Sequence, residues 1–163
     1  MSKAPEHDDF WIPMAGLFDI AHDGFFGDFR EELEQTEFAD LRPTHGCVFR
    51  FVRSPGMRLT VLAEMAGMTK QSVGEIVDDL AERGYVKRVP DPEDKRAKLI
   101  CLTERGERAQ ATGLALFAKV EEQWAERYGA KRIQQLRELL EEIAADEAPS
   151  AAPAVTQRES AAA

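Results

Sequence analysis

Residues 59–106 read LTVLAEMAGMTKQSVGEIVDDLAERGYVKRVPDPEDKRAKLICLTERG, and the punctuation of this stretch decides the fold. Thr60 can cap a helix over Val61–Ala66 that Gly67 stops. Thr69 can cap a second helix, whose Val73, Ile76, Val77 and Leu80 share one face at helical spacing. Gly84 stands where a left-handed residue closes that helix. Tyr85–Val89 reads as a strand, Pro90–Ala97 as a charged turn and Lys98–Leu102 as the returning strand. Two helices joined by a short glycine-containing turn and followed by a hairpin make a winged helix-turn-helix with a two-stranded β-wing.

Outward from this centre the chain is helical, so the fold class is mainly α. On the N-terminal side, Trp11, Met14, Phe18, Ala21, Phe25, Phe29 and Leu33 recur at helical spacing within residues 10–37, and Pro13 suits a first turn. Asp40-Leu41-Arg42-Pro43 breaks that helix, and Thr44–Arg53 reads as a short buried helix through Cys47, Val48, Phe49 and Val52. On the C-terminal side Thr103 can cap a long helix with a stripe of Ala109, Leu116, Phe117, Val120, Trp124 and Tyr128. A turn at Gly129 leads to a last helix carrying Ile133, Leu136, Leu140 and Ile143. Residues 1–9 read as a flexible N-terminus, 10–147 as one domain with its winged helix over 44–102, and 148–163 as a disordered Ala/Pro/Ser/Glu tail. The apolar stripes of 10–37 and 103–147 exceed what a small winged domain can cover, which predicts pairing with a second copy.

Composition sets bounds on function. The 163 residues carry a formal charge of −9, unevenly spread: −7 over residues 1–50, +1 over 51–103 and −3 over 104–163. Phosphate responds to charge at the contact, and only the middle third is not repelled by it. No apolar run approaches the roughly 20 residues of a membrane span. The polar N-terminus resembles neither a secretory signal nor a transit peptide, so a cytoplasmic location is expected. Cys47 and Cys101 do not make a disulfide framework and read as ordinary buried thiols. No Gly-rich phosphate loop, HExxH or nucleophile elbow is present, so neither an enzyme nor a cofactor is expected.

The stretch 59–106 closely resembles the MarR family of winged-helix regulators. The matching parts are Leu62-Ala63-Glu64, Met68-Thr69-Lys70-Gln71-Ser72-Val73, Val77-Asp78-Asp79-Leu80, Glu82-Arg83-Gly84-Tyr85-Val86, the wing Asp91-Pro92-Glu93-Asp94-Lys95-Arg96, and Leu102-Thr103-Glu104-Arg105-Gly106. The resemblance implies a transcriptional regulator that binds double-stranded DNA as a homodimer on a pseudo-palindromic operator, with dimerisation helices at 10–37 and 103–147. The expected role is a repressor released by a small molecule. The first turn of the second helix would enter the major groove with Thr69, Lys70, Gln71 and Ser72, and Gly74 would let the helix backbone approach. Lys70 suits phosphate or guanine, and Gln71 can reach adenine with both amide atoms. Lys95, Arg96 and Lys98 form the second contact at the wing, where the arginine matching Arg96 reaches a minor groove and Asp94 helps to hold the wing's shape. Lys87 and Arg88 would add backbone contacts. Glu75 departs from the family's frequent arginine and leaves an acid on the reading face.

The resemblance also implies an effector cavity, often for aromatic or anionic molecules, with Trp11, Met14, Phe18, His22, His45 and Phe49 as wall residues. His22, His45 and Cys47 match no known metal-ligand spacing, so no metal is expected, and neither cysteine suits peroxide sensing. A winged-helix protein-interaction module without DNA binding is the alternative that the acidic charge favours. Lys70, Gln71, Lys95 and Arg96 discriminate, because such a module has no need for all four.

Overall fold

The computed structural model describes residues 12–94 and 96–147. The expectations for residues 1–9 and 148–163, and for Trp11 and Lys95, lie outside these described residues. By packing, the chain divides into two units, residues 1–120 and 121–163.

In the first unit, α1 (Met14–Glu34) leads through a 3-10 turn (Pro43–His45) into α2 (Gly46–Phe51). The helix begins later than the expected residue 10, and Pro13 is its N-cap rather than a member of its first turn. The strand β1 (Met57–Arg58) precedes α3 (Leu59–Met65), α4 (Lys70–Glu82), the hairpin β2 (Val86–Pro90) and β3 (Lys98–Leu102), and then α5 (Glu104–Tyr128). The sheet order is β1-β3-β2, antiparallel throughout, with Val86 opposite Leu102 and Met57 opposite Ile100.

Local chemistry explains most boundaries. The Thr69 hydroxyl accepts the Ser72 N–H at 3.1 Å and so satisfies one free donor at the start of α4. Gly84 closes α4 with φ +76°, a conformation that costs a side-chain-bearing residue far more. Thr103 Oγ1 accepts the Gly106 N–H at 3.1 Å at the start of α5. Gly106 is demanded by contact: a Cβ there would lie 2.0 Å from the carbonyl oxygen of Tyr85. α5 therefore starts directly against the end of α4 and the root of the hairpin.

Two boundaries differ from the sequence reading. Thr60 is not a cap, because α3 already begins at Leu59 with Arg58 as its N-cap. The reason is β1: pairing of Arg58 with Leu99 holds that residue extended, at ψ 143°, so the helix starts immediately after it. β1 itself is a third strand beside the expected two-stranded wing.

The core lies between α2, α3, α4 and the sheet. Val48, Val52, Leu62, Val73, Val77, Leu80 and Tyr85 are fully buried, and Ile100 nearly so. α1 meets α5 through rings: Phe29 and Phe117 stack with centroids 4.3 Å apart, and Phe25 lies parallel to Phe117 at 6.2 Å. Lys119 and Glu32 add an ion pair at 2.6 Å. In the second unit α6 (Ala130–Glu147) leaves Leu136, Leu139, Leu140 and Ile143 exposed.

Candidate nucleic-acid interface

The buried strip of α4 leaves the opposite side of the helix outward. Lys70, Gln71, Glu75 and Asp78 are exposed there, with Thr69 just before them, and Ser72 is half-buried on the flank. Gly74 belongs to this side: a Cβ would meet only Leu59, at an ordinary 3.8 Å. Nothing inside the protein requires glycine at that position.

Two acids stand on this face, and each is engaged. Glu75 Oε1 accepts from Gln71 Nε2 at 3.3 Å. A carboxylate only accepts, so the Gln71 amide must turn its nitrogen toward Glu75. Asp78 is paired with Arg88 of β2 at 2.5 Å, so a backbone contact by Arg88 has to compete with this pair.

The wing is shaped by acids at its two bends. Asp94 Oδ1 accepts the Arg96 N–H at 3.0 Å, as its place in the motif implied. Asp91 does more. It is 5% exposed, its Oδ1 accepts the Glu93 N–H at 2.9 Å, and its Oδ2 receives Arg58 at 2.6 Å. The Glu93 N–H holds its carboxyl below the usual range; burial opposes this and Arg58 reinforces it. Arg58 thus ties the N-terminus of α3 to the root of the wing. The sequence reading missed this residue, and its one signal was an unexplained arginine between two elements. Beyond the bend Arg96 and Lys98 are exposed, and the Arg96 guanidinium has no ion-pair partner among the described residues.

Behind the face runs a polar cluster that the sequence reading also missed. Asp40 receives the Tyr85 hydroxyl at 2.6 Å, Arg83 at 3.4 Å and Arg105 at 3.5 Å. Burial pushes its carboxyl up, but Tyr85 and the two arginines hold it below the ordinary carboxylate range. The Tyr85 hydroxyl is pushed up to about 12 by burial and by Asp40.

The residues expected to line an effector cavity, Trp11 aside, lie on α1, on the 3-10 turn and on α2. Met14 and Phe18 are 70% and 52% exposed on α1. His22 is exposed beside Phe26, and Phe49 packs edge-on against Tyr85. His45 is buried with both ring nitrogens in use, one toward Asp79 and one toward the Arg42 N–H. Burial pushes the Cys47 thiol up, away from the reactive thiolate. Among the described residues, no group of three or more His, Cys, Asp or Glu could hold a metal ion. None of the described helices is long and apolar enough to cross a membrane.

Residues 39–97 match the model of the MarR family. The transcriptional regulator HosA of Escherichia coli O157:H7 is 31% identical over 98 residues, covering 60% of this chain and 73% of HosA. The chain belongs to the MarR family. It is accordingly a transcriptional regulator with a DNA-binding winged helix. The reduced form of MarR from E. coli superposes with a TM-score of 0.72 over 83% of this chain and 98% of that one, and at 21% identity it speaks for the fold. The transcriptional repressor CouR bound to a 23-mer DNA duplex is 25% identical, with a TM-score of 0.67 over 81% of this chain and 92% of that one. CouR from Rhodococcus jostii RHA1 has also been solved with p-coumaroyl-CoA.

Proposed function

We propose that the chain is a cytoplasmic homodimeric repressor that binds a pseudo-palindromic operator and leaves it when a small anionic or aromatic molecule binds. The observation that carries DNA reading is the outward side of α4: an N-terminal turn with its cap in place, Lys70 and Gln71 exposed, and an open glycine one turn on. Such a surface fits a major groove, which is wide enough for one helix. Thr69, Lys70, Gln71 and Ser72 act at the bases and phosphates, and Arg96, Lys98 and Lys95 act at the wing.

Dimerisation is supported by α1, none of whose residues is buried and whose apolar Met14, Leu17, Phe18 and Ile20 are all more than half exposed. Exposed apolar strips of this kind mark interfaces. Two-fold pairing would present two recognition helices to successive half-sites. Release by an effector rests on the p-coumaroyl-CoA complex of CouR and on the aromatic residues of α1. Met14, Phe18, His22 and Phe49, with Trp11, are its proposed walls.

The net charge of −9 favours a second reading, a protein-interaction module. An electrophoretic shift with DNA flanking the chain's own gene separates the two. The regulator shifts a fragment in the presence of competitor DNA, with affinity falling steeply as salt rises. No shift at low salt with any flanking fragment would sink the regulator reading.

A further inference from the structure

The apolar strip of α4, Val73, Val77 and Leu80, fixes how deeply the helix sits. The strip also sets which side of the helix faces the core, and because apolar contact is non-directional it leaves the fine roll about the axis to hydrogen bonds and ion pairs. Roll matters, because it sets where Gln71 and Glu75 point. Directional holds come from the Asp78–Arg88 pair to β2 and from a second flank. There Asp79 Oδ2 is 2.8 Å from His45 Nε2, and Asp79 Oδ1 accepts from Arg83 Nε at 2.9 Å.

His45 sits on the 3-10 turn and is 2% exposed. Its Nδ1 accepts the backbone N–H of Arg42 at 3.0 Å. A main-chain N–H only donates and a carboxylate only accepts, so one ring form satisfies both neighbours: the neutral imidazole with its proton on Nε2. A proton on Nδ1 would face the Arg42 N–H donor to donor and break that bond. The charged groups facing the ring are Asp79 and Arg83 from α4 and Arg42 from the segment before the turn, the last 3.8 Å from Asp79.

We propose that His45, in its neutral Nε2–H form, is a positioning residue that fixes the fine roll of the recognition helix, so that protonating it, which breaks its bond to the Arg42 N–H and unseats the ring, weakens DNA reading. The inference rests on the DNA-binding reading above. Burial holds the ring below its ordinary 6.5; Asp79 opposes this, and Arg83 and Arg42 reinforce it. The stability that the neutral ring contributes by burial and by accepting the Arg42 N–H is therefore complete above the unfolded value and is lost as pH falls through the lowered folded one, whereas the bond to Asp79 by itself favours the charged ring.

Two substitutions in the full chain each keep half of the contact. His45→Gln puts an amide N–H near the Nε2 position and does not titrate. His45→Asn puts a carbonyl near Nδ1 and abandons Asp79. Affinity for the shifted fragment is measured by fluorescence anisotropy from about pH 8 downward for as long as the protein stays folded, because the ring charges below its ordinary value. Wild type should lose about tenfold in affinity on the acid side, His45→Gln should show a flatter profile, and His45→Asn should be about tenfold weaker already at neutral pH. The same acid loss in His45→Gln as in wild type, or wild-type affinity in His45→Asn, would overturn the proposal.

A readout without DNA is independent of the operator. In histidine-labelled protein, nitrogen chemical shifts should report the Nε2–H tautomer for His45. Amides of α4, but not those of α3, should exchange faster in His45→Asn than in wild type at the same pH. An Nδ1–H tautomer, or equal exchange in the two proteins, would refute the hold on α4. Failure of wild type to bind any fragment counts instead against the functional reading, and the exchange data still decide this one.

Discussion

Helices α4 and α1 are both amphipathic, and they meet opposite fates. α4 buries three side chains completely within 13 residues, whereas α1 buries none in 21. The difference lies in what surrounds them. α4 is enclosed by α3, the sheet and the turn before α2, while α1 meets the rest of its unit mainly through the ring contacts at Phe117. The winged domain closes its own core, and the first helix carries apolar surface that the described residues do not cover. If the chain pairs as proposed, stability and assembly rest on different helices, and substitutions should divide accordingly.

The largest effect is expected inside α4. Leu80→Ala removes a fully buried side chain from a close-packed site, at a cost of about 2–5 kcal/mol. Chemical denaturation should show the midpoint falling with little change in slope. A loss below about 1 kcal/mol would mean that α4 is not held by its own domain. On α1 the expected outcome is of another kind. Leu17→Glu combined with Ile20→Glu touches no buried residue, so the winged core should keep its fold. Sedimentation should nevertheless move from a dimer to a species of 18.2 kDa, and affinity for a two-half-site fragment should collapse. Wild type sedimenting at 18.2 kDa would break the comparison outright.

The same contrast governs what could be read from sequence. Features fixed by neighbours along the chain were legible: the Thr69 and Thr103 caps, the closing Gly84 and the strand Lys98–Leu102. The caps and the closing glycine depend on hydrogen bonds or backbone angles within a few residues, and the strand pairs with β2 across a short hairpin. Features that join distant residues were not. β1 is two residues long, too short for any alternation, and exists because β3 offers it an edge. Thr60 was misplaced as a cap for that reason. Asp40 looked like part of a helix break, but 45 residues separate it from the Tyr85 hydroxyl it receives. The pairs His45–Asp79 and Arg58–Asp91 span 34 and 33 residues, and no local pattern announces them. The reading face of α4 was legible as a side of a helix; what holds that side in place was not.

The smallest expected effect tests the reading face against the wing and leaves stability alone. Arg88 and Arg96 both belong to the hairpin region and carry the same charge, but Arg88 is committed to Asp78 at 2.5 Å. Arg96 is exposed without an ion-pair partner among the described residues. Counterion release counts cations that neutralise phosphate, so only a free guanidinium contributes in full. Arg96→Ala should weaken binding to all sequences alike and reduce the slope of log affinity against log salt by about one. Arg88→Ala should change the slope by less, because it removes a charge that Asp78 already balances. The two titrations, run on the same fragment, sharpen the comparison: equal slopes for both variants would show that the Asp78–Arg88 pair opens on DNA and that the wing has no special share in phosphate contact.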